Sequence, residues 1–291
     1  MDITIWAVMK MGFADLHIHS QYSDGTMTPE EIVRSARSVG AVLISVCDHN
    51  VIEGTARVAP LAAAAGLQYL HGAEIDTIWD GADVHILCYG ADITHPALRS
   101  ALHHARKRLD DMSVELLRRM AADYPAVSLS EYEQTAHDPR RGGWKLLQYL
   151  VRKRVTAKLK DGFAFYARYG VTYADAGFQD IETVARAIHA SGGRAVLAHP
   201  QVTFAGEGIS GLEARVCGAM EMGLDGVECH HPSQDAGVSR YLRALCDAHG
   251  WMITAGSDCH GDFNGRRIAC NQIDVGKLRL GRDFDCQLIR G

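Results

Sequence analysis

Long hydrophobic runs are absent from this 291-residue sequence, since no apolar stretch approaches the ~20 residues that a membrane-spanning helix needs. An excess of positive charge is absent too, because 30 lysines and arginines face 35 aspartates and glutamates, for a net charge of −5. This balance argues against a protein that a broad basic surface carries to nucleic acid. We therefore expect no membrane partner and no stable nucleic-acid complex.

The eight cysteines are scattered along the chain and form no C-x-x-C pair. With 47% apolar residues, a chain of this length can form a sizeable core. The sequence therefore predicts reduced, mostly buried thiols in a cytoplasmic protein. No G-x-S-x-G motif or Cys–His signature indicates a serine or cysteine nucleophile.

Short apolar runs alternate with amphipathic segments toward both ends of the chain. The seven strand candidates are residues 13–18, 41–47, 67–70, 84–89, 194–198, 224–229 and 251–255. Helical patterns at 180–191, 211–222 and 235–249 lie between or beside the later strands. This alternation indicates a parallel sheet or barrel, and seven strands suit a closed or nearly closed α/β barrel better than a small open sheet.

The helix predicted after the first strand has marked boundaries. Thr28 is placed as the N-cap, Pro29 as the first helical residue and Glu31 as the partner that closes a capping box. Gly40 is placed to end the helix. The sequence thus predicts a strand, a helix and then the buried strand at 41–47.

The middle of the chain breaks the alternation of strand and helix. From residue 96 to about 179 only helical patterns occur, and basic residues cluster there. A helical insertion between two barrel strands is the simplest explanation. The sequence therefore predicts a discontinuous barrel domain, residues 13–95 and 180–291, and a helical insertion domain, residues 96–179.

The first strand ends in a His-x-His pair, His17 and His19. Residues i and i+2 of a strand point to the same face, so both imidazoles should project to one side. In a βα barrel, the C-terminal ends of the strands carry the functional site. One such pair is weak evidence for a metal, because histidine is also a common surface residue.

Histidine, aspartate or glutamate recurs at or near the end of the other predicted strands. The motifs are VCDHN, HGAEID, VHILCYG, VLAHP, GLDGVECHHP and TAGSDCH, in chain order. They supply Asp48, His49, Glu74, His85, His199, His230, His231, Asp258 and His260. If these side chains meet at one rim, formed by the C-terminal ends of the strands, they can build a multinuclear metal site. In such a site carboxylates bridge the cations and imidazoles complete their coordination.

The motifs DLHIHSQYSDG, CDHN, GAEI, HILCYG, AHP and GSDCHG resemble, in this order, those of the PHP (polymerase and histidinol phosphatase) family of metal-dependent phosphoesterases. The match spans residues 13–95 and 180–265 of this sequence. It is closest to the stand-alone members with a helical insertion. The resemblance implies a distorted (β/α)7 TIM-like barrel with two or three divalent cations, Mn, Fe or Zn, at the C-terminal ends of the strands.

Carried over residue by residue, the resemblance implies three cation positions. The first would be held by His17, His19, Glu74 and Asp258, the second by Glu74, His85 and His199, and the third by Asp24, His49 and His260. Glu74 would bridge the first two. Asp24 stands where some family members carry histidine, and it lies on a loop that contains Gly25.

The catalytic expectation follows from the charge of clustered cations. They lower the pKa of a bridging water toward neutrality, which supplies a hydroxide, and they neutralise charge on phosphoryl oxygens. His231 is a candidate to protonate the leaving oxygen, with a structural role as the alternative. Asp48 is a candidate to orient the neighbouring ligand His49, with a helix cap as the alternative.

The substrate is predicted less sharply than the metal site. The segment RRGGWKLLQYLVRK (140–153) resembles the subgroup linked to cyclic phosphate and phosphosugar hydrolysis. Arg140, Arg141 and Lys145 are candidates to hold a second phosphate, with an exposed, solvated helix start as the alternative.

The expected partner is a small phosphorylated metabolite, a cyclic phosphosugar or a nucleotide 3′,5′-bisphosphate. The alternatives are a 5′–3′ exonuclease on short RNA, which the acidic composition disfavours, and a non-catalytic metal-binding regulatory module. Hydrolysis of C–N bonds in the manner of amidohydrolases is disfavoured, because no predicted strand end offers the lysine ligand that it usually needs.

Overall fold

A computed structural model describes residues 12–281, and the eight strands among them form two small sheets. The first sheet is parallel, in the order β1 (Phe13–Ile18), β2 (Ala41–Val46) and β3 (Gln68–Tyr69). The second has the order β4 (Gly72–Trp79), β5 (Ala82–Tyr89), β6 (Arg194–Leu197), β7 (Gly226–His230) and β8 (Met252–Ala255). Strand β5 runs antiparallel to both of its neighbours, whereas β6, β7 and β8 are parallel.

Isolated bridges, rather than continuous ladders, join the two sheets. One parallel bridge pairs Ile18 with Cys259, beyond the end of β8, and another pairs His49 with Glu74. The predicted α/β class is confirmed. The described residues nevertheless form eight strands instead of seven and show no closed barrel. The bridges still bring the ends of β1 and β2 beside β4 and the segment after β8.

The strand missed by the sequence prediction is β4, which forms a hairpin with β5. Trp79 pairs with Ala82, so the connecting loop is Asp80-Gly81, and both loop residues have positive φ, 49° and 77°. Asp-Gly is a preferred two-residue hairpin loop, because its backbone twist matches that of the flanking strands. Glu74 was expected just past a strand; it lies inside β4, where a neighbouring strand holds it rigidly.

Eleven helices surround the sheets in the part of the chain that the structure describes. They are α1 (Pro29–Ser38), α2 (Glu53–Ala64), α3 (Pro96–Met120), α4 (Leu129–Gln134), α5 (Lys145–Arg152), α6 (Phe163–Arg168), α7 (Tyr173–Ala176), α8 (Ile181–Ala190), α9 (Pro200–Thr203), α10 (Gly208–Glu221) and α11 (Ala236–His249). The predicted capping box of α1 is confirmed, because Thr28 accepts from Glu31 N and Glu31 accepts from Thr28 N. Among these helices, none combines the length and apolar character needed to cross a membrane.

The segment between β5 and β6 contains helices and no strand, as its sequence pattern predicts. It shares its core with the second sheet, since Leu102 of α3 and Tyr149 of α5 belong to the same apolar cluster as Ile86 of β5. Side chains of a common cluster are removed from water together, which holds the segment against the sheet. The division into a barrel domain and an insertion domain stays a proposal, and its residues 282–291 lie outside the described part.

Candidate metal centre

The two histidines at the end of β1 point into one buried cluster. His17 and His19 are both 0% exposed, and their Nε2 atoms lie 3.1 Å apart. Glu74 Oε2 lies 3.2 Å from each of these nitrogens. Asp258 Oδ1 lies 3.2 Å from His19 Nε2 and 3.7 Å from His17 Nε2. The four side chains of the first predicted cation position therefore meet around one point.

The second oxygen of Glu74 faces the second predicted position. Glu74 Oε1 lies 3.0 Å from His85 Nδ1 and 3.0 Å from His199 Nε2. His85 is on β5, beside β4, and His199 follows β6 with a backbone φ of 27°. A positive φ is uncommon for a non-glycine residue and marks a conformation that the surroundings impose. The two oxygens of Glu74 thus lie between two groups of imidazoles.

The third predicted position lies beside the first. Asp24 Oδ1 is 3.2 Å from His260 Nε2 and 3.7 Å from His19 Nδ1. His49 Nε2 is 3.3 Å from Glu74 Oε2, and the rings of His19 and His260 stack with centroids 3.9 Å apart. All nine predicted ligands therefore belong to one continuous cluster, although His19 also approaches the third group.

The charges in this cluster favour ionised carboxylates. Burial raises the pKa of Glu74, but attraction to His17, His49 and His85 outweighs it and holds this pKa well below its usual range. Burial lowers the pKa of His49, yet Glu74 and Asp76 together raise it to about 9. In the metal-free chain the ionised carboxylates are thus held by neighbouring imidazoles, and bound cations would take over that stabilising role.

The ring nitrogen His19 Nδ1 is buried, has no hydrogen-bond partner and lies 3.7 Å from Asp24 Oδ1, on the side of the third predicted position. A buried polar atom without a partner costs about 1–3 kcal/mol, and a bound ion is one reason for such an atom to persist. Imidazole nitrogens mixed with carboxylate oxygens are donors that Mn, Fe and Zn accept. The residues present therefore fit the expected divalent cations, whose number and identity stay predictions.

Asp48 fixes the loop that carries Asp24. Its Oδ1 accepts from Ser20 N at 2.7 Å and from Ser23 Oγ at 2.6 Å, and its Oδ2 accepts from Ser20 Oγ at 2.6 Å. It does not cap a helix, because the N-cap of α2 is Ile52. A carboxylate with several donors is a rigid anchor. The expected contact with His49 is not formed, since His49 Nδ1 faces Asp76 instead, and we propose Asp48 as a residue that positions this loop.

His231 lies at the edge of the cluster, where sequence reasoning missed its neighbour Arg266. Ser233 N donates to His231 Nδ1 at 3.1 Å, so Nε2, 3.5 Å from Asp258 Oδ2, is the nitrogen that faces the cluster. Arg266 Nη1 donates to Asp258 Oδ2 at 2.6 Å and lies 3.2 Å from His231 Nε2. Arg266 follows β8 in a segment without periodicity, which is why no pattern marked it.

Glu228 is a second residue that the sequence analysis missed. It is 0% exposed; its Oε1 lies 3.1 Å from His17 Nδ1 and its Oε2 accepts from His199 N at 2.9 Å. Metal-binding histidines usually present the second ring nitrogen to such a carboxylate. The sequence signal that could have revealed Glu228 is its place two residues before His230, on a strand that was expected to end at the metal site.

The three predicted phosphate-binding residues do not lie together at the cluster. Arg140 is exposed and pairs with Glu31 of α1, with Nη2 3.0 Å from Oε1, and Arg141 is exposed. Lys145 Nζ donates to Glu133 O at 3.2 Å and lies 4.6 Å from the centre of the Tyr132 ring. Among the three, Lys145 lines an aromatic cavity beside the cluster, whereas Arg140 is held by Glu31.

An aromatic cavity of about 460 Å³ borders the cluster. Trp144, at the start of α5, lies with its ring 5.6 Å from the ring of His49, and Arg106 of α3 stacks on it at 5.2 Å. The remaining wall includes Tyr132, Phe163, Tyr166 and Tyr173, with Asp110, Ser113 and Lys145 as polar members. A cavity of this size, lined by aromatic rings together with polar and charged side chains, accepts a small planar molecule that carries polar groups.

Comparisons with known proteins identify the family of this chain. The family model of the PHP domain matches residues 15–189. A 5′-3′ exoribonuclease of Haemophilus influenzae is 29% identical and aligns over 90% of this chain and 93% of its own. A 3′,5′-nucleoside bisphosphate phosphatase of Chromobacterium violaceum is 26% identical, over 96% of this chain and 99% of its own.

A solved structure from Chromobacterium violaceum, described as an amidohydrolase with bound sulfate and no metal, has a TM-score of 0.75 and 26% identity to this chain. The alignment covers 95% of this chain and 97% of that one. The family model spans more than half of the present sequence. The chain therefore belongs to the PHP domain family and is a metal-dependent hydrolase of phosphate esters.

Proposed function

We propose that this chain removes a phosphate group from a small nucleotide, with the nucleoside side of the ester in the aromatic cavity. The observation that carries the proposal is the contact between Trp144 and His49, which places a stacking surface directly beside the predicted cation positions. Stacking of a purine or pyrimidine ring on an aromatic side chain contributes about 1–3 kcal/mol of binding free energy per base. A cyclic phosphosugar is the second substrate class, although it would leave this aromatic wall without a planar partner.

The nine clustered ligands would hold divalent cations, which would lower the pKa of a bound water and neutralise charge on phosphoryl oxygens. The chain's own residues position the reacting ester. We assign Glu74 as the carboxylate shared by the first two positions, because its oxygens face different histidines. Lys145, whose side chain lines the cavity, is the remaining candidate to hold a second phosphate.

His231 is our candidate for the proton donor to the leaving oxygen. Its Nδ1 accepts from Ser233 N, so Nε2 is the nitrogen that faces the edge of the cluster. Arg266, bound to Asp258, places a positive charge beside that atom. To act as the general acid, the ring would have to carry protons on both nitrogens and give up the one on Nε2 to the leaving oxygen.

The test is phosphate release in the presence of Mn²⁺ from a nucleotide 3′,5′-bisphosphate, a cyclic phosphosugar and a 5′-phosphorylated short RNA. Trp144→Ala should raise KM for the bisphosphate about tenfold or more, in line with the loss of one stacking contact. Trp251→Ala is the matched control, since Trp251 stacks on His249, away from the cavity lining. Equal effects of both changes, or no release from any substrate, would refute the proposal.

A 5′–3′ exoribonuclease is the second candidate function. A groove of about 680 Å³ beside the rim is lined by Arg34, Arg140, Arg266 and Arg267, which could follow a ribose-phosphate backbone. The acidic residues Glu31 and Asp262 in the same groove weaken this attraction. Release from RNA but not from mononucleotides, with a steep dependence on salt, would favour this candidate.

The barrel architecture remains a proposal. We interpret the two sheets, joined by single bridges, as a distorted TIM-like (β/α)7 barrel of the kind the family resemblance implies. The non-catalytic alternative is disfavoured, because all nine expected ligand positions carry His, Asp or Glu.

A further inference from the structure

Asp76 lies behind the metal centre and belongs to none of the three predicted cation positions. It is on β4, two residues after Glu74, so both side chains leave the same face of the strand. Its side chain is 1% exposed. A carboxylate at this depth needs charged or hydrogen-bonding partners, because an isolated buried charge is strongly destabilising.

One oxygen of Asp76 faces two imidazoles that belong to different predicted positions. Asp76 Oδ1 lies 3.2 Å from His85 Nε2 and 3.3 Å from His49 Nδ1. The opposite nitrogens of these rings face Glu74, at 3.0 Å for His85 Nδ1 and 3.3 Å for His49 Nε2. Each ring therefore lies between Glu74 on the inside and Asp76 on the outside.

Asn50 holds Asp76 in this place. Asn50 Nδ2 donates to Asp76 Oδ2 at 2.5 Å, and Asp76 N donates to Asn50 Oδ1 at 3.0 Å. Asn50 has a φ of 58°, in the left-handed region that asparagine tolerates better than most residues. This reciprocal pair occupies Oδ2 and leaves Oδ1 directed at the two histidines.

We propose that Asp76 is a positioning residue that couples the second and third cation positions, because one of its oxygens holds both His85 and His49. The proposal rests on the proposed function only in that these positions bind cations. The two contacts lack hydrogen-bond alignment, so charge attraction carries them. Loss of an outer carboxylate of this kind typically costs 10–100-fold in metal affinity.

The coupling follows from sharing a single oxygen. A change at Asp76 removes the outer partner from His85 and His49 together, so two positions weaken at once. The first position is separate, because His17 has its own outer carboxylate in Glu228. Asp76 should therefore set whether the second and third cations are retained, while the first is retained without it.

Asp83 offers a matched control on the same hairpin. Its Oδ1 lies 3.1 Å from His85 Nε2, and among the ion pairs of the described residues it has none with His49. Asp83→Asn and Asp76→Asn each remove one negative charge, but the change at Asp83 takes a carboxylate partner away from His85 alone. Asn50→Gly is a second test, since it keeps the charge of Asp76, removes its anchor and suits the positive φ at this residue.

The experiment uses the metal-free full chain, titrated with Co²⁺ and followed by its visible d–d absorption and by metal analysis after dialysis. The unvaried chain should retain the cations of all three positions. Asp76→Asn should lose two together, with roughly 10- to 100-fold weaker binding, and keep one. Asp83→Asn should weaken one at most, and Asn50→Gly should weaken the same two as Asp76→Asn by a smaller factor.

Thermal unfolding of each metal-free variant establishes that it folds. Loss of a single cation in Asp76→Asn, or the same pattern in Asp83→Asn, overturns the coupling. If Asp76→Asn does not fold, unchanged retention in Asn50→Gly overturns it instead. Absence of any retained cation in the unvaried chain refutes this proposal together with the proposed function, whereas retention without phosphate release refutes only the latter.

Discussion

Replacing Glu228 with glutamine removes one negative charge from the wall of the metal centre and preserves the size of the side chain. Two donors converge on this carboxylate: His17 Nδ1, 3.1 Å from Oε1, and His199 N, 2.9 Å from Oε2. Glutamine has one acceptor oxygen, so its amide nitrogen must face one of the two donors. The replacement therefore leaves one buried donor without a partner.

The size of the effect follows from this geometry. An unsatisfied buried donor costs about 1–3 kcal/mol, and we expect a loss of that size in the free energy of unfolding of the metal-free protein. Loss of the outer carboxylate of His17 should also weaken the first cation position by roughly 10- to 100-fold. The two expected losses differ from those of Asp76→Asn, which should spare the first position.

The assays are urea denaturation of the metal-free chain and a Co²⁺ titration of the same sample. Glu182→Gln is the control, because Glu182 forms an exposed ion pair with Arg186 that should contribute little. If Glu228→Gln retains the first cation with unchanged affinity, the positioning of His17 by Glu228 is refuted. A similar loss in the control would show that the titration does not report on the site.

Four other outcomes are expected. Chelation of divalent cations should abolish phosphate release and lower the thermal midpoint, and Mn²⁺ should restore both; activity that survives exhaustive chelation would contradict the assignment. His231→Gln should lower kcat by at least about 100-fold with little change in KM, and an unchanged kcat would exclude it as proton donor. Thr28→Ala should cost about 1 kcal/mol in urea denaturation without altering kcat, because it removes the N-cap of α1. Arg140 and then the backbone N–H of Thr28 lower the pKa of Glu31 from 4.5 to about 2. The stability that Glu31 contributes is therefore complete above pH 4.5 and is lost as the pH falls toward 2. The difference in the free energy of unfolding between the unvaried chain and Glu31→Gln should shrink from about pH 4.5 down to about pH 2, and a difference that stays constant over this range would contradict the ion pair with Arg140.

Local signals were sufficient for several elements and for the ligand residues. The capping box at Thr28 and Glu31 marked the start of α1, because capping depends on residues within one helical turn. Histidines and carboxylates at the ends of successive strands indicated one shared site, because the C-terminal ends of parallel strands in an α/β barrel lie at the same face. His17, His19 and Glu74 were named on this basis, and the structure brings them within 3.2 Å of one another.

Other features depended on packing between distant segments. The β4–β5 hairpin was missed because its apolar residues are interrupted by Glu74 and Asp76, which face the cluster rather than solvent. The Asp80-Gly81 pair, a preferred two-residue hairpin loop, was the sequence signal that could have revealed this hairpin. Arg140 was expected at a phosphate, yet it pairs with Glu31 of α1, 109 residues away, a contact that no local pattern contains.

The sequence by itself determined the family, the α/β class and the residue types that surround the metal centre, because these follow from motif order and from the period of side chains along a strand. Tertiary structure alone decided which atom faces which: that Glu228 lies behind His17, that Asp76 reaches both His85 and His49, and that Trp144 borders the cluster. Those contacts join elements that are far apart in the chain. Their distances are set by how the two sheets and the inserted helices pack together, and no spacing within one segment encodes them.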